Sequence, residues 1–94
     1  MRDGTFRNTF GVGQIGPSAR RHGVPDADIR HAISHHLIAY DLSGDGADSA
    51  PRDLVIGPTA SGTMIEIVVI HLVDERSLII HAMALRKSYR HLLP

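Results

Sequence analysis

The chain has 94 residues, 43% of them hydrophobic, with only two Phe and two Tyr and no Cys or Trp. A chain of this length buries one small core, which here must be built from Ile, Leu, Val and Ala. The missing cysteines exclude a disulfide framework and a thiolate metal site, and the scarce aromatics largely exclude base-stacking platforms. No apolar run approaches the roughly 20 residues needed to span a bilayer, and no apolar segment follows the N-terminal charges, so a soluble, cytoplasmic, unexported protein with no membrane partner is expected.

A formal net charge of zero conceals three unequal blocks. Residues 1–25 hold four Arg and one Asp, residues 26–75 hold two Arg against nine acids, and residues 76–94 hold four bases and no acid. Segregation of this kind gives one surface an attraction for polyanions while another attracts cations or solvent.

Residues 1–16 contain four glycines and no apolar periodicity, and read as a flexible leader to a single α+β domain over 17–94. Pro17 to His22 suits a short helix with Pro in its first turn, stopped by Gly23. Pro25 opens a second helix over 25–36, with Asp26 and Asp28 in the turn where the helix dipole favours negative charge. Ile29, Ala32 and Ile33 supply its apolar face. A strand follows over 36–42, then an acidic loop over 43–51. Arg52–Gly57 reads as the next strand, and a turn over 58–62 joins it to an apolar run from Thr63 to Val73. That run is continuous enough for a central strand covered on both faces. Asp74 and Glu75, or a slightly longer turn, then lead into a closing strand over 77–83, and a short basic helix ends the chain. The expected fold is two N-terminal helices packed on a three- to four-stranded antiparallel meander, with a short C-terminal helix.

A two-residue turn at Asp74 and Glu75 would set Ile70 opposite Ile79 and Val68 opposite His81, with Glu66 diagonal to His81 on the same face. A similar count across 58–62 brings Arg52 or Leu54 opposite that face, making Arg52, Glu66 and His81 a candidate polar cluster in this assumed register, which a one-residue slip would undo by moving His81 to the other face. A buried carboxylate beside a histidine suits acid–base work near neutral pH, and suits a structural hydrogen-bonded triad equally well. On a helix, Arg86, Tyr89 and Arg90 share one face beside Lys87, a pattern fit for phosphate contacts or for a solvated helix end. His31 and His35 have the spacing of two metal ligands, but Ala32 stands where zinc protease helices carry Glu and no third ligand follows. Gly11–Gly16 matches G-x-G-x-x-G without a preceding strand, and Ser34, Ser61 and Ser88 lack a nucleophile context. No metal or organic cofactor is expected.

The run Arg20-Arg21-His22-Gly23-Val24, the helix PDADIRHAI, the strand RDLVIGP and the ending LIIHAMALRKSYRHLLP together resemble the BrnT-like branch of the RelE superfamily of bacterial type II toxins. Those proteins often carry a K/R-H-G-[IV] turn, an R-x-x-x-I-G strand and a closing strand R-I-I-S-A-R. The similarity spans about residues 18–93. Arg52 stands at the strand-opening arginine, His81 at the serine of the closing motif, and Met83 where that motif ends in arginine. Any comparable charge must come from Arg86, and the Trp-Asp opening of such chains is absent. The resemblance implies a metal-independent endoribonuclease toxin acting on mRNA, free or on the ribosome, neutralised by a cognate antitoxin and held in a higher-order complex or homo-oligomer. His81, Arg52, Arg86 and Glu66 would then be the catalytic group, and Lys87, Tyr89 and Arg90 would bind RNA. The rival expectation is a non-catalytic module that binds an acidic partner through its basic C-terminal segment, or a partner strand through an open sheet edge.

Overall fold

In a computed structural model of the chain, residues 14–42, 51–72 and 76–94 are described. The leader up to residue 13, most of the acidic loop (43–50) and the turn residues 73–75 lie outside them. The described residues form one five-stranded sheet: β1 (Gln14–Ile15), β2 (Ile38–Asp41), β3 (Arg52–Pro58), β4 (Met64–His71) and β5 (Ser77–Ala84). Its spatial order is β1-β5-β4-β3-β2.

The sheet corrects the expected fold in two respects. It is mixed, because β1, from the segment assigned to a leader, pairs parallel to β5 through Gln14–Leu78 and Ile15–Ile79. Among the described residues there is also one α-helix, not two: α1 (Asp26–Ser34), while Pro17–Arg20 is a single 3₁₀ turn. The five residues between Pro17 and the positive-φ Gly23 (φ 78°) are too few to propagate an α-helix, for which nucleation is the costly step. Lys87–Leu92 is likewise 3₁₀.

α1 begins after Pro25 with Asp26 and Asp28 in its first turn, and buries Ile29, Ala32 and Ile33. It stops before the expected residue 36. His36 Nδ1–H donates to the Ile33 carbonyl (2.8 Å) and His35 Nδ1–H to the His31 carbonyl (3.0 Å), so two imidazoles serve the carbonyls of the last turn. The helix covers the face of β3–β5 that carries Val55, Ile65, Ile67, Val69, Ile79 and Ala82. It lies so close over β3 that a Cβ on Gly57 would stand 2.2 Å from the Ala32 carbonyl oxygen. The opposite face carries Leu54 and Ile56, and is covered by Leu85, Tyr89, Leu92 and Leu93 of the C-terminal segment. β4 lies at the centre of the sheet, covered on both sides. Among the described residues, no helix is long and apolar enough to cross a membrane.

Candidate functional site

β4 and β5 pair antiparallel, with Ile70 opposite Leu78 rather than the expected Ile79, and His71 opposite Ser77. The ladder then slips: Val69 pairs with Ile79 but Val68 with His81, so Ile80 is an extra residue in β5. This bulge has a consequence for every side chain beyond it. Strict alternation would have put His81 on the same face as Ile79, beneath α1. The bulge turns it to the other face, opposite Val68 and diagonal to Glu66.

Glu66 is fully buried, and four donor groups converge on its carboxylate. His81 Nε2–H donates to Oε2 at 2.9 Å. The Arg86 backbone N–H donates to Oε1 at 3.0 Å, its Nε lies 3.2 and 3.0 Å from the two oxygens, and its Nη2 lies 2.6 Å from Oε2. Burial is the largest influence on Glu66 and pushes its pKa up. The side-chain and backbone hydrogen bonds of Arg86, the bond from His81 and the Arg86 charge together reverse it, so the carboxyl is held below its ordinary value. An ionised carboxylate only accepts, so the proton on this bond belongs to His81 Nε2, and in the neutral ring Nδ1 is left with a lone pair. The His81 side chain remains 25% exposed.

The structure therefore brings together three of the predicted residues, Glu66, His81 and Arg86. It does not bring in Arg52, which pairs with Ile70 while Glu66 pairs with Ile56. Four residues of strand, roughly 13 Å, separate the two positions along β3. The count across 58–62 assigned Arg52 the correct face but not the correct end of it. Arg86 takes its place because β5 ends at Ala84 and the chain bends back over the sheet, with Leu85 N–H donating to the Met64 carbonyl (3.1 Å).

The basic segment also differs from the expected α-helical face. In a 3₁₀ turn, positions three apart are aligned. Arg86 therefore lies over Tyr89, 5.2 Å from its ring centroid, and Tyr89 is half-buried against the apolar face. Lys87 and Arg90 are three apart as well, and both are exposed.

Two features escaped sequence reasoning. His22 packs edge to face on His81, with ring centroids 5.7 Å apart at 78°. No sequence spacing links the two residues. Its place is set by the 3₁₀ turn, where Gly16 N–H donates to the Ile79 carbonyl (2.8 Å) and Ser18 Oγ–H to the Ile80 carbonyl at the bulge (2.7 Å). The second is Asp53, buried and accepting from His71 Nε2–H at 2.8 Å, with buried Ser77 opposite His71. Asp53 and Ser77 stand at the opening ends of their strands and His71 at the closing end of its own, where a polar residue is no distinct signal. At 4% exposure Ser77 offers an acyl substrate no approach, so this trio is structural.

His31 and His35 stack at 4.2 Å, and His31 Nδ1–H donates to the Pro58 carbonyl (2.9 Å). Among the described residues, no three His, Cys, Asp or Glu side chains are grouped to hold a metal ion. Of the G-x-G-x-x-G run, Gly11 to Gly13 lie outside the described residues, and Gln14 and Ile15 form β1. Comparison of the chain with protein-family models, curated proteins and solved structures finds no match.

Proposed function

We propose that the protein is a toxin of the type II toxin–antitoxin kind, a metal-independent endoribonuclease in which His81 is the general base. The single observation that supports this most is the 2.9 Å bond from His81 Nε2–H to the buried Glu66 carboxylate. A histidine held by a carboxylate through one nitrogen is fixed in tautomer and orientation, and its other nitrogen is prepared to take a proton. RNA supplies such a proton at the 2′-hydroxyl beside each phosphate. His81 Nδ1 removes it, the 2′-oxygen attacks phosphorus, and the chain is cut with a 2′,3′-cyclic phosphate at one end. Arg86 keeps Glu66 ionised, and the exposed Lys87 and Arg90 extend a cationic surface along which the phosphate backbone runs.

The reading is tested by incubating purified protein with RNA in the presence of a chelator. Wild-type protein cleaves; His81→Ala loses about 10²- to 10⁴-fold in rate; His35→Ala, distant in role and exposed, retains activity. Absence of cleavage by the wild-type protein would refute the nuclease reading.

One observation favours a second reading, a non-catalytic module that binds a partner protein. The described edge strand β2 and its flanks expose Leu37 (49%), Tyr40 (48%) and Leu42 (36%), the large apolar side chains most open to solvent among the described residues. A strand edge with such side chains suits an added partner strand from an acidic protein encoded beside this one. Loss of a co-expressed complex in Tyr40→Lys, with the complex intact in His81→Ala, is the result this reading requires.

A further inference from the structure

We propose that His22 is a second catalytic residue, the general acid that protonates the 5′-oxygen as it leaves phosphorus. The inference rests on the endoribonuclease reading and completes its chemistry. Attack by the 2′-oxygen forms one P–O bond and must break another, and the 5′-alkoxide is a poor leaving group unless a proton reaches it as the bond breaks. His81 accepts the proton of the 2′-hydroxyl and so cannot supply that one in the same step. A second, protonated group is needed beside it.

His22 is the candidate that the geometry supplies. Its ring lies 5.7 Å from that of His81, edge to face, and the residue is exposed, so a phosphate approaching from solvent meets both imidazoles. Each group needs a nitrogen within roughly 2.6–3.2 Å of its own oxygen, and two rings in edge contact are close enough to serve one phosphate. The two rings are held in different ways. His81 is oriented by Glu66, whereas His22 is positioned through its backbone: the turn before it is bonded to the carbonyls of Ile79 and Ile80, and Gly23 N–H closes it on the Arg20 carbonyl (3.1 Å). The same bulge therefore turns His81 toward Glu66 and receives the turn that carries His22.

The charged groups around the pair leave the two roles open. Glu66 and Arg86 are bound to one another, Arg20 is bound to Asp26 (2.8 Å), and exposed Arg21 adds a positive charge beside His22 that suits a phosphate. The step balances. The 2′-hydroxyl proton goes to His81 Nδ1, O2′–P forms as P–O5′ breaks, and the O5′ electron pair takes the proton of His22. A 2′,3′-cyclic phosphate and a 5′-hydroxyl result, and proton exchange with water restores both rings.

The experiment compares wild-type, His22→Ala, His22→Gln and His81→Ala proteins on two substrates, RNA and a uridine 3′-(4-nitrophenyl) phosphate. Nitrophenolate leaves without a proton, so a missing general acid is not felt there. Both His22 variants should lose about 10²- to 10⁴-fold in kcat/KM on RNA and lose the alkaline limb of its pH profile. On the nitrophenyl ester they should stay within about threefold of wild type, whereas His81→Ala stays impaired on both. Equal losses on both substrates, or RNA cleavage at the wild-type rate with both limbs intact, would overturn the assignment of His22 alone. A wild-type protein inactive on RNA would overturn the endoribonuclease reading itself, and this inference with it.

Discussion

Gly57→Ala should be among the most damaging single-atom changes available to this fold. The added Cβ would meet the Ala32 carbonyl oxygen at 2.2 Å, the His36 Cα at 2.9 Å and the Ala32 carbonyl carbon at 3.1 Å. All three are backbone atoms, so no side chain can rotate away. Relief requires α1 to lift from β3 by nearly an ångström, and Ile29, Ala32 and Ile33, all buried, must lift with it. A radial gap of about 0.5–1 Å forfeits a quarter to a half of each dispersion contact it opens. Overpacking typically costs about 1–3 kcal/mol, and a clash confined to backbone belongs at the top of that range. The gain from restricting the unfolded chain, about 0.4–1 kcal/mol, offsets only part of it. A net loss near 2–3 kcal/mol in a chain of this size corresponds to a fall in Tm of roughly 10–20 °C. Thermal and urea unfolding followed by circular dichroism measure it, with Gly23→Ala as a control. At that position the open space around the Cβ leaves only the cost of a positive φ, about 1–2 kcal/mol. A Gly57→Ala protein within about 0.5 kcal/mol of wild type would refute the claim that the helix rests on bare backbone there.

Two further outcomes follow from the site and its surroundings. Glu66 has a folded pKa below its unfolded one, so the stability it contributes is fully present above the ordinary carboxylate value of about 4.3 and is lost as pH falls through the depressed folded value. Urea midpoints measured between about pH 7 and pH 3 should therefore fall more steeply for wild type than for Glu66→Gln, and equal acid slopes would locate the acid sensitivity elsewhere. Lys87→Ala and Arg90→Ala should each weaken RNA binding evenly across sequences and reduce the slope of log K against log salt by roughly one. Fluorescence anisotropy between about 50 and 200 mM salt reads that slope, and an unchanged value would remove the residue from the phosphate path.

The sequence disclosed the elements with strong periodicity. α1 was legible from Pro25, two early acids and Ile29, Ala32 and Ile33, and β4 from an apolar run interrupted by Glu66 alone before His71. β1 was not, because two residues cannot show a period and their pairing partner lies more than sixty positions away. The relation of Glu66 to His81 followed from a two-residue turn that the ladder does not use. Leu72 N–H bonds to the Arg76 carbonyl, so the strands reach residues 70 and 78 one step out of the expected register, and Ile80 restores it. Bulges leave no clear mark in an apolar strand, since Ile79 and Ile80 are alike in composition. Arg86 reads as a phosphate ligand because no local pattern signals that the chain bends back after Ala84 and seats its guanidinium on Glu66.

That bend constrains the chemistry. With Arg86 bonded through its backbone and side chain to Glu66, the arginine nearest the candidate base already has a counter-charge, and its attraction for a phosphate is correspondingly reduced. On the proposed reading, charge developing on phosphorus is met by exposed cations of two separate turns: Arg21 before α1, and Lys87 and Arg90 in the C-terminal turn. These belong to the two positively charged ends of the sequence, and the acidic middle block supplies the carboxylate between them. The bulge at Ile80 connects the parts, since its carbonyl holds the N-terminal turn while its extra residue turns His81 toward Glu66. On the proposed endoribonuclease reading both ends of the chain are needed, so Ser18→Ala, which removes the bond to the Ile80 carbonyl, should lower the measured rate of RNA cleavage without touching Glu66, His81 or Arg86.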